Sequence, residues 1–94
     1  MNKRILLEFP KTLTRLTDNP YGKQVFAEQV ADKIDYQAEN TIVFPKQIIK
    51  ASSSFVQGFY SEIIKKIGYE GLDEHIIIES ENTTLKESIK KNLL

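Results

Sequence analysis

Three consecutive isoleucines, Ile76–Ile78, constrain the fold of this chain more than any other feature of its sequence. Successive side chains of a strand point to opposite faces of the sheet, so an unbroken β-branched run predicts burial on both faces. Strands of this kind occur in parallel sheets that helices cover. We therefore expect His75–Ile78 to be a strand of a layered α/β protein. At 94 residues the chain has the size of one domain, residues 1–94.

Three other segments have the composition of strands. Arg4–Phe9 holds four apolar residues in six and is followed by proline. Thr12–Thr17 alternates β-branched and polar residues, and we expect it to pair back on the first strand as a hairpin, with residues 10–11 in the turn. Thr41–Phe44 is a short apolar run before another proline, which predicts a central strand.

Between and after these strands, apolar residues recur at helical spacing. A first helix is expected over Pro20–Asp35, and Gly22 on its apolar face predicts close approach to the sheet. A second helix is expected to begin at the serines 52–54 and to end at Ile67, because Gly68 is the residue type that terminates helices. A third begins around residues 82–84. The apolar stripes are Gly22, Phe26, Val30 and Ile34, then Phe55, Val56, Phe59, Tyr60, Ile63, Ile64 and Ile67, and finally Leu85, Ile89 and Leu93.

The elements follow one another in the order β(β)αβαβα. This alternation predicts a small, largely parallel sheet of three to four strands with three helices and right-handed crossovers. The pattern leaves open whether the helices lie on one face of the sheet or on both.

Charge and composition exclude several classes of function. The chain has 13 basic and 13 acidic residues, so no net field favours nucleic acid or a membrane surface as a partner. It has no cysteine, which removes disulfides, thiolate catalysis and cysteine zinc sites, and agrees with a reducing compartment. No apolar run approaches the roughly 20 residues of a membrane helix. Glu8 ends the first apolar stretch too early for a signal peptide, and we expect a cytoplasmic protein.

No set of residues in the sequence resembles a catalytic or metal site. His75 is the only histidine, so it has no second histidine for a metal site or a triad. The glycines are not spaced as a phosphate-binding loop or a dinucleotide fingerprint. Lys86, Lys90 and Lys91 have the pattern of a solvated helix face. We expect no enzymatic activity, no cofactor and no metal.

The local pattern with chemical content is Ser52-Ser53-Ser54, at the start of the second predicted helix. A helix N-terminus has unpaired N–H groups and the positive end of the helix dipole, which favour a phosphorylated hydroxyl or a bound anion. Phosphorylation would add a charge of about −1.5 to −2. The alternative is helix capping alone, since Ser54 and Gln57 have capping-box spacing. The two roles are compatible, because one serine can cap while its neighbour faces solvent.

These residues and their order resemble the STAS-like domain family, divergent relatives of the anti-sigma-factor antagonists. The resemblance lies in the strand Thr41–Phe44, in Ile48, and in Ser54-Phe55 leading into an apolar helix; it extends from about Asp18 to the end of the chain. Antagonists of this family carry an Asp-Ser-Ser/Thr-Gly turn whose serine is phosphorylated by a kinase that is also the binding partner. On this chain Ser52 stands at the Asp position and Phe55 at the Gly position, so two of four positions depart from that pattern. Ser53 falls at the phosphoacceptor and Ser54 at the next hydroxyl.

The resemblance implies a non-catalytic, bacterial regulatory module. It would dock through Ser52–Phe59 on a histidine-kinase-like ATPase or similar regulator, as a monomer or weak homodimer. The phosphorylation candidates are Ser53, Ser54 and Ser52, and the partner-binding candidates are Ser52, Ser53, Ser54 and Gln57. Two other readings remain: a small-ligand or nucleotide sensor that uses the same helix N-terminus as an anion site, and an accessory structural protein of a mobile element that self-associates.

Overall fold

The computed structural model describes residues 2–93 and has the α/β architecture that the sequence predicts. Strands β1, β3 and β5 form one sheet, β2 and β4 form a second, and three helices accompany them. The elements are β1 Asn2–Leu6, β2 Arg15–Leu16, α1 Asn19–Val25, a π-helical continuation of α1 at Phe26–Val30, β3 Glu39–Val43, β4 Lys50–Ala51, α2 Ser53–His75, β5 Ile76–Glu79 and α3 Thr83–Leu93.

The main sheet is parallel throughout, and β3 is its central strand. The register aligns Ile5 of β1 with Ile42 of β3 and Ile42 with Ile78 of β5. This row points towards the helices: Ile42 is fully buried, and Phe44, two residues further on, packs on Phe59 of α2 with ring centroids 6.1 Å apart. The core therefore lies between this face and α2.

The opposite face of the main sheet is open, so the expected burial of Ile76–Ile78 on both faces is wrong. Ile77 is 39% exposed and Leu6 is 61% exposed. On this face the guanidinium of Arg4 pairs with the Glu79 carboxylate, with Arg4 Nη2 2.7 Å from Glu79 Oε2, and this pair joins β1 to β5 across β3. The hydrogen bond from Arg4 lowers the pKa of Glu79. A run of β-branched residues indicates that a segment forms a strand, but it does not indicate whether helices cover one face of that strand or both.

The expected hairpin between Thr12–Thr17 and the first strand is also wrong. The β2 strand pairs in parallel with β4, with Arg15 beside Lys50 and Leu16 beside Ala51. The turn after β1 closes with a hydrogen bond from the Leu13 amide to the Pro10 carbonyl. The side chain of Gln47 donates to both carbonyls of that turn, at residues 10 and 13, which directs the chain towards β4 and away from β1.

The α1 helix makes the close approach that Gly22 predicts, but its neighbour is α2 and not the sheet. A Cβ atom on Gly22 would overlap the carbonyl oxygen of Phe55 and would lie 2.7 Å from the amide nitrogen of Phe59. A Cβ atom on Gly58 of α2 would overlap the carbonyl oxygen of Asn19. Each helix thus presents a glycine to the backbone of the other, which sets their separation.

The first helix ends earlier than the expected Asp35. Regular α-helix stops at Val25, the π-helical segment ends at Val30, and a turn follows. The side chain of Asn40, which is fully buried, accepts from the Asp35 amide at 3.0 Å and donates to the Asp35 carbonyl at 2.8 Å. A buried polar side chain without partners would be costly, so these bonds fix the chain at residues 35–40.

The second helix breaks at Gly68, as its sequence predicts, but it then resumes. Gly68 has φ 69° and ψ 174°, a conformation that side-chain-bearing residues rarely adopt. Helical structure continues to His75, and this second part places Leu72 in the core. Within residues 2–93, no helix is both long enough and apolar enough to cross a bilayer.

The substitution Gly22→Ala is expected to lower the free energy of unfolding by about 1–3 kcal/mol, the usual cost of overpacking. The loss arises because the new methyl group must push α1 away from the α2 backbone, and it should outweigh alanine's better helix propensity of about 1 kcal/mol. Urea denaturation measures the effect. Lys23→Ala, an exposed change on the same helix, is the control. Equal stability of the two variants would show that the helices do not depend on this contact.

Tyr60→Phe is expected to leave stability unchanged or to raise it by up to about 2 kcal/mol. The Tyr60 side chain is buried, its hydroxyl has no hydrogen-bond partner in the described part of the chain, and burial raises its pKa above the ordinary value. Phenylalanine keeps the ring and removes the unsatisfied group. Thermal unfolding of the two proteins at neutral pH tests this expectation. A clear loss of stability would mean that the hydroxyl has a partner in solution.

Candidate functional site

Two neighbours hold the chain at the point where β4 enters α2. On one side the Ser52 amide donates to the Leu16 carbonyl of β2 at 2.8 Å. On the other side α3 supplies two side chains: the Ser88 hydroxyl donates to the Ala51 carbonyl at 2.7 Å, and the Asn92 amide donates to the same oxygen at 3.0 Å. Ala51 itself is fully buried. The start of α2 is thus fixed from both sides before any partner binds.

Ser52 is the residue that caps α2. Its backbone is extended, with φ −75° and ψ 161°, and its hydroxyl oxygen accepts a hydrogen bond from the Phe55 amide at 3.1 Å. Its carbonyl accepts the first helical bond, from the Val56 amide at 3.0 Å. The capping box expected from Ser54 and Gln57 is not formed. The cap falls two residues earlier because β4 ends at Ala51.

The other two serines are exposed in the first turn of the helix. Ser53 and Ser54 both face solvent, and so does Gln57. Ser54 and Gln57 are three residues apart and therefore lie on the same face of α2. The structure thus separates the capping hydroxyl of Ser52 from the two exposed hydroxyls.

The apolar residues of the expected docking segment Ser52–Phe59 are not available to a partner. Phe55, Val56 and Phe59 are each 1% exposed, and the rings of Phe55 and Phe59 stack with centroids 5.8 Å apart. They anchor the helix in the core. A partner at this segment could contact Ser53, Ser54 and Gln57.

A shallow groove continues the exposed face of Gln57 towards α3. It has a volume of about 400 Å³, and its walls include Gln57, Ile64 and Tyr69 of α2 and Leu93 of α3. Tyr69 is 63% exposed, the most exposed large apolar side chain among residues 2–93. Exposed aromatic residues of this kind are common anchors in protein interfaces. The serines and the groove form one surface, which we call the α2 surface: Ser53, Ser54, Gln57, Ile64 and Tyr69.

His75 makes a structural contact in the folded chain. Its Nδ1 lies 3.0 Å from the carbonyl oxygen of Ala38, so the ring closes the loop before β3. Among the side chains that the structure describes, no three of histidine, aspartate or glutamate are placed to share a metal ion.

Sequence reasoning missed Ser88 and Asn92, the residues of α3 that hold Ala51. A weak signal exists, because two polar residues four positions apart lie on the side of α3 next to the apolar Ile89. Such a pair has the pattern of any solvated helix face, and only the tertiary placement of β4 gives it a partner. The structure therefore adds two positioning residues to the predicted serines.

Comparison with known proteins identifies no relative: no family model, no curated protein and no solved structure matches this chain. The resemblance to STAS-like domains consequently rests on the residues that carry it. It remains a prediction.

Ser52→Ala is expected to lower the free energy of unfolding by about 1 kcal/mol, the usual cost of losing a helix cap. Ser53→Ala and Ser54→Ala should each change it by less than about 0.5 kcal/mol, because both side chains are exposed. Urea denaturation of the three variants measures the difference. If Ser54→Ala were the most damaging of the three, the cap would lie at Ser54.

Proposed function

We propose that this chain is a non-catalytic regulatory module that binds another protein through the α2 surface. The observation that carries the proposal is that one of the three serines caps the helix and the other two are exposed. Ser52 caps the helix, and the side chains of Ser53 and Ser54 are exposed and are not needed for the cap. A partner or a kinase could engage them without unfolding α2.

The rigidity of the helix start supports a docking role. Bonds from β2 and α3 hold the backbone at Ala51 and Ser52, so binding would not have to order a flexible loop. A surface that is already ordered avoids part of the entropic cost of association. Tyr69 supplies an exposed aromatic group on the same surface, with an apolar body and a hydroxyl that can remain hydrated.

Phosphorylation of Ser53 or Ser54 is the proposed switch. The γ-phosphoryl group of ATP would pass to the serine Oγ, with release of ADP and of the hydroxyl proton. The added charge of about −1.5 to −2 would lie beside the free N–H groups of the first helical turn, which stabilise it. The same charge would stand within the α2 surface and change its fit to a partner. Ser52 is the poorest acceptor of the three, because its Oγ already serves the Phe55 amide.

The proposed partner is a histidine-kinase-like ATPase or a similar cytoplasmic regulator. This part of the proposal comes from the resemblance to STAS-like domains, in which the kinase that modifies the serine also binds it. The exposed placement of Ser53, the residue at the phosphoacceptor position of that motif, supports the assignment.

Purified chain, mixed with the kinase-like ATPase encoded nearest to its gene and with magnesium and ATP, is expected to form a complex or to gain a phosphate. Size-exclusion chromatography detects the complex, and mass spectrometry of peptides locates the phosphate. The double variant Ser53→Ala, Ser54→Ala should abolish the modification, because both exposed hydroxyls are gone.

Ser80→Ala is the matched control, since Ser80 lies outside the α2 surface and its hydroxyl accepts from the Asn82 amide. This variant should behave as the unaltered chain does. Absence of both a complex and a phosphoserine, in protein that is shown to be folded, would contradict the proposal. ATP alone should not raise the melting temperature; a rise would favour a nucleotide sensor.

A further inference from the structure

A second groove lies along β5 and meets the first groove at Leu93, which lines both. It has a volume of about 300 Å³. One wall is the strand Ile76–Ile78, the floor includes Leu72 of α2, and the far wall is α3 with Ile89. The walls are predominantly apolar.

The groove follows the unpaired edge of the main sheet. Three successive residues of a strand point to alternating faces, so a groove that all three of Ile76–Ile78 line must run along the strand's edge. Among residues 2–93 only β3 pairs with β5, on the other edge. An open edge of this kind is a template for a further strand.

The backbone of β5 has hydrogen-bonding groups to offer at this edge. The Glu79 carbonyl accepts from the Phe44 amide, so it points towards β3. Backbone groups alternate in direction along a strand, which turns the amide and the carbonyl of Ile78 away from β3 and towards the groove. The Ile76 amide also points away from β3, but it already donates a hydrogen bond to the Leu72 carbonyl at the end of α2. Ile78 therefore presents a donor and an acceptor to an added strand.

Two lysines of α3 stand at the groove and make its rim positive. Lys86 and Lys90 line it, are exposed, and form no salt bridge with a described side chain, and the charge of Lys86 also helps to lower the pKa of Glu79. They are one helical turn apart, about 6 Å along the axis. Side chains on one face of a strand repeat at about 7 Å, so neighbouring positions on one face of an added strand would reach both lysines.

The charge at the rim decides which kind of strand would bind. A second copy of this chain, pairing β5 with β5 about a two-fold axis, would bring its own Lys86 and Lys90 against the same pair of lysines. Like charges across an interface disfavour such pairing. An acidic segment would instead neutralise them.

We propose that β5 accepts an extended segment of a partner protein as the next strand of the main sheet. On the face of that segment that meets α3, two neighbouring positions carry acidic side chains, and the positions before and after them on that face are apolar. The apolar side chains fill the groove between β5 and α3, the acidic ones pair with Lys86 and Lys90, and the backbone of the segment bonds to Ile78. The lining of this site includes none of the five residues that define the α2 surface, and the site does not depend on serine phosphorylation.

The test uses a labelled peptide of about eight residues, a length of roughly 26 Å when extended. On one face glutamate fills two neighbouring positions and valine the positions before and after them, threonine fills the positions of the other face, and both ends are blocked. We expect the peptide to bind in fluorescence anisotropy and to slow hydrogen exchange at the Ile78 amide. Lys86→Glu combined with Lys90→Glu should weaken binding about tenfold, because two exposed attractions become repulsions.

Lys91→Glu is the matched control, since Lys91 is exposed on the same helix but does not line the groove. It should change affinity by less than about twofold. A peptide with lysine in place of glutamate, and one N-methylated at alternate amides, should both lose binding. The proposal fails if the N-methylated peptide binds as well as the parent, which would indicate a site for small apolar anions. It fails equally if the chain alone forms a dimer that protects the Ile78 amide.

Discussion

The contact between α1 and α2 at Gly22 and Gly58 is the constraint on which the rest of the fold depends. Without a side chain at either position, the backbones of the two helices meet directly. At that separation Phe26 of the π-helical segment packs edge to face on Phe59, with ring centroids 6.2 Å apart. Phe59 also packs on Phe44, the residue that follows β3. Phe59 of α2 thereby contacts both the π-helical continuation of α1 and the chain just after β3. A wider spacing between the helices would open this cluster and release α2 from β3.

The proposed functional surface follows from the same arrangement. Because Phe55 and Phe59 face α1 and the sheet, the opposite side of α2 must carry Ser54 and Gln57. The hydrogen bonds of Ser88 and Asn92 to Ala51 then fix where that side begins. Packing thus decides which hydroxyls reach solvent.

Local signals in the sequence account for the order of elements, for the start of α2 near the serines and for the break at Gly68. They could not specify which serine caps, since the cap depends on β4, a two-residue strand that exists only through its pairing with β2. Nor could they reveal that helix resumes after Gly68, where Leu72 enters the core. The exposure of Ile77 could not be predicted from the sequence either, because the composition of a strand does not show which elements cover each of its faces. The position of the cap and the exposure of Ile77 thus depend on residues distant in the chain, whereas the early end of the first helix depends on Asn40, only five residues after Asp35.

The parallel order β1, β3, β5 has a consequence for the order in which contacts form during synthesis. Each strand of the main sheet can find its neighbour only after an intervening helical crossover has been made, and contacts between distant residues form slowly. The pair that joins the two outer strands, Arg4 and Glu79, lies 75 positions apart in the chain. The β1 strand can pair with β3 as soon as residues 39–43 are present, whereas this ion pair requires β5, so the direct link between the two outer strands is the last of these contacts to form.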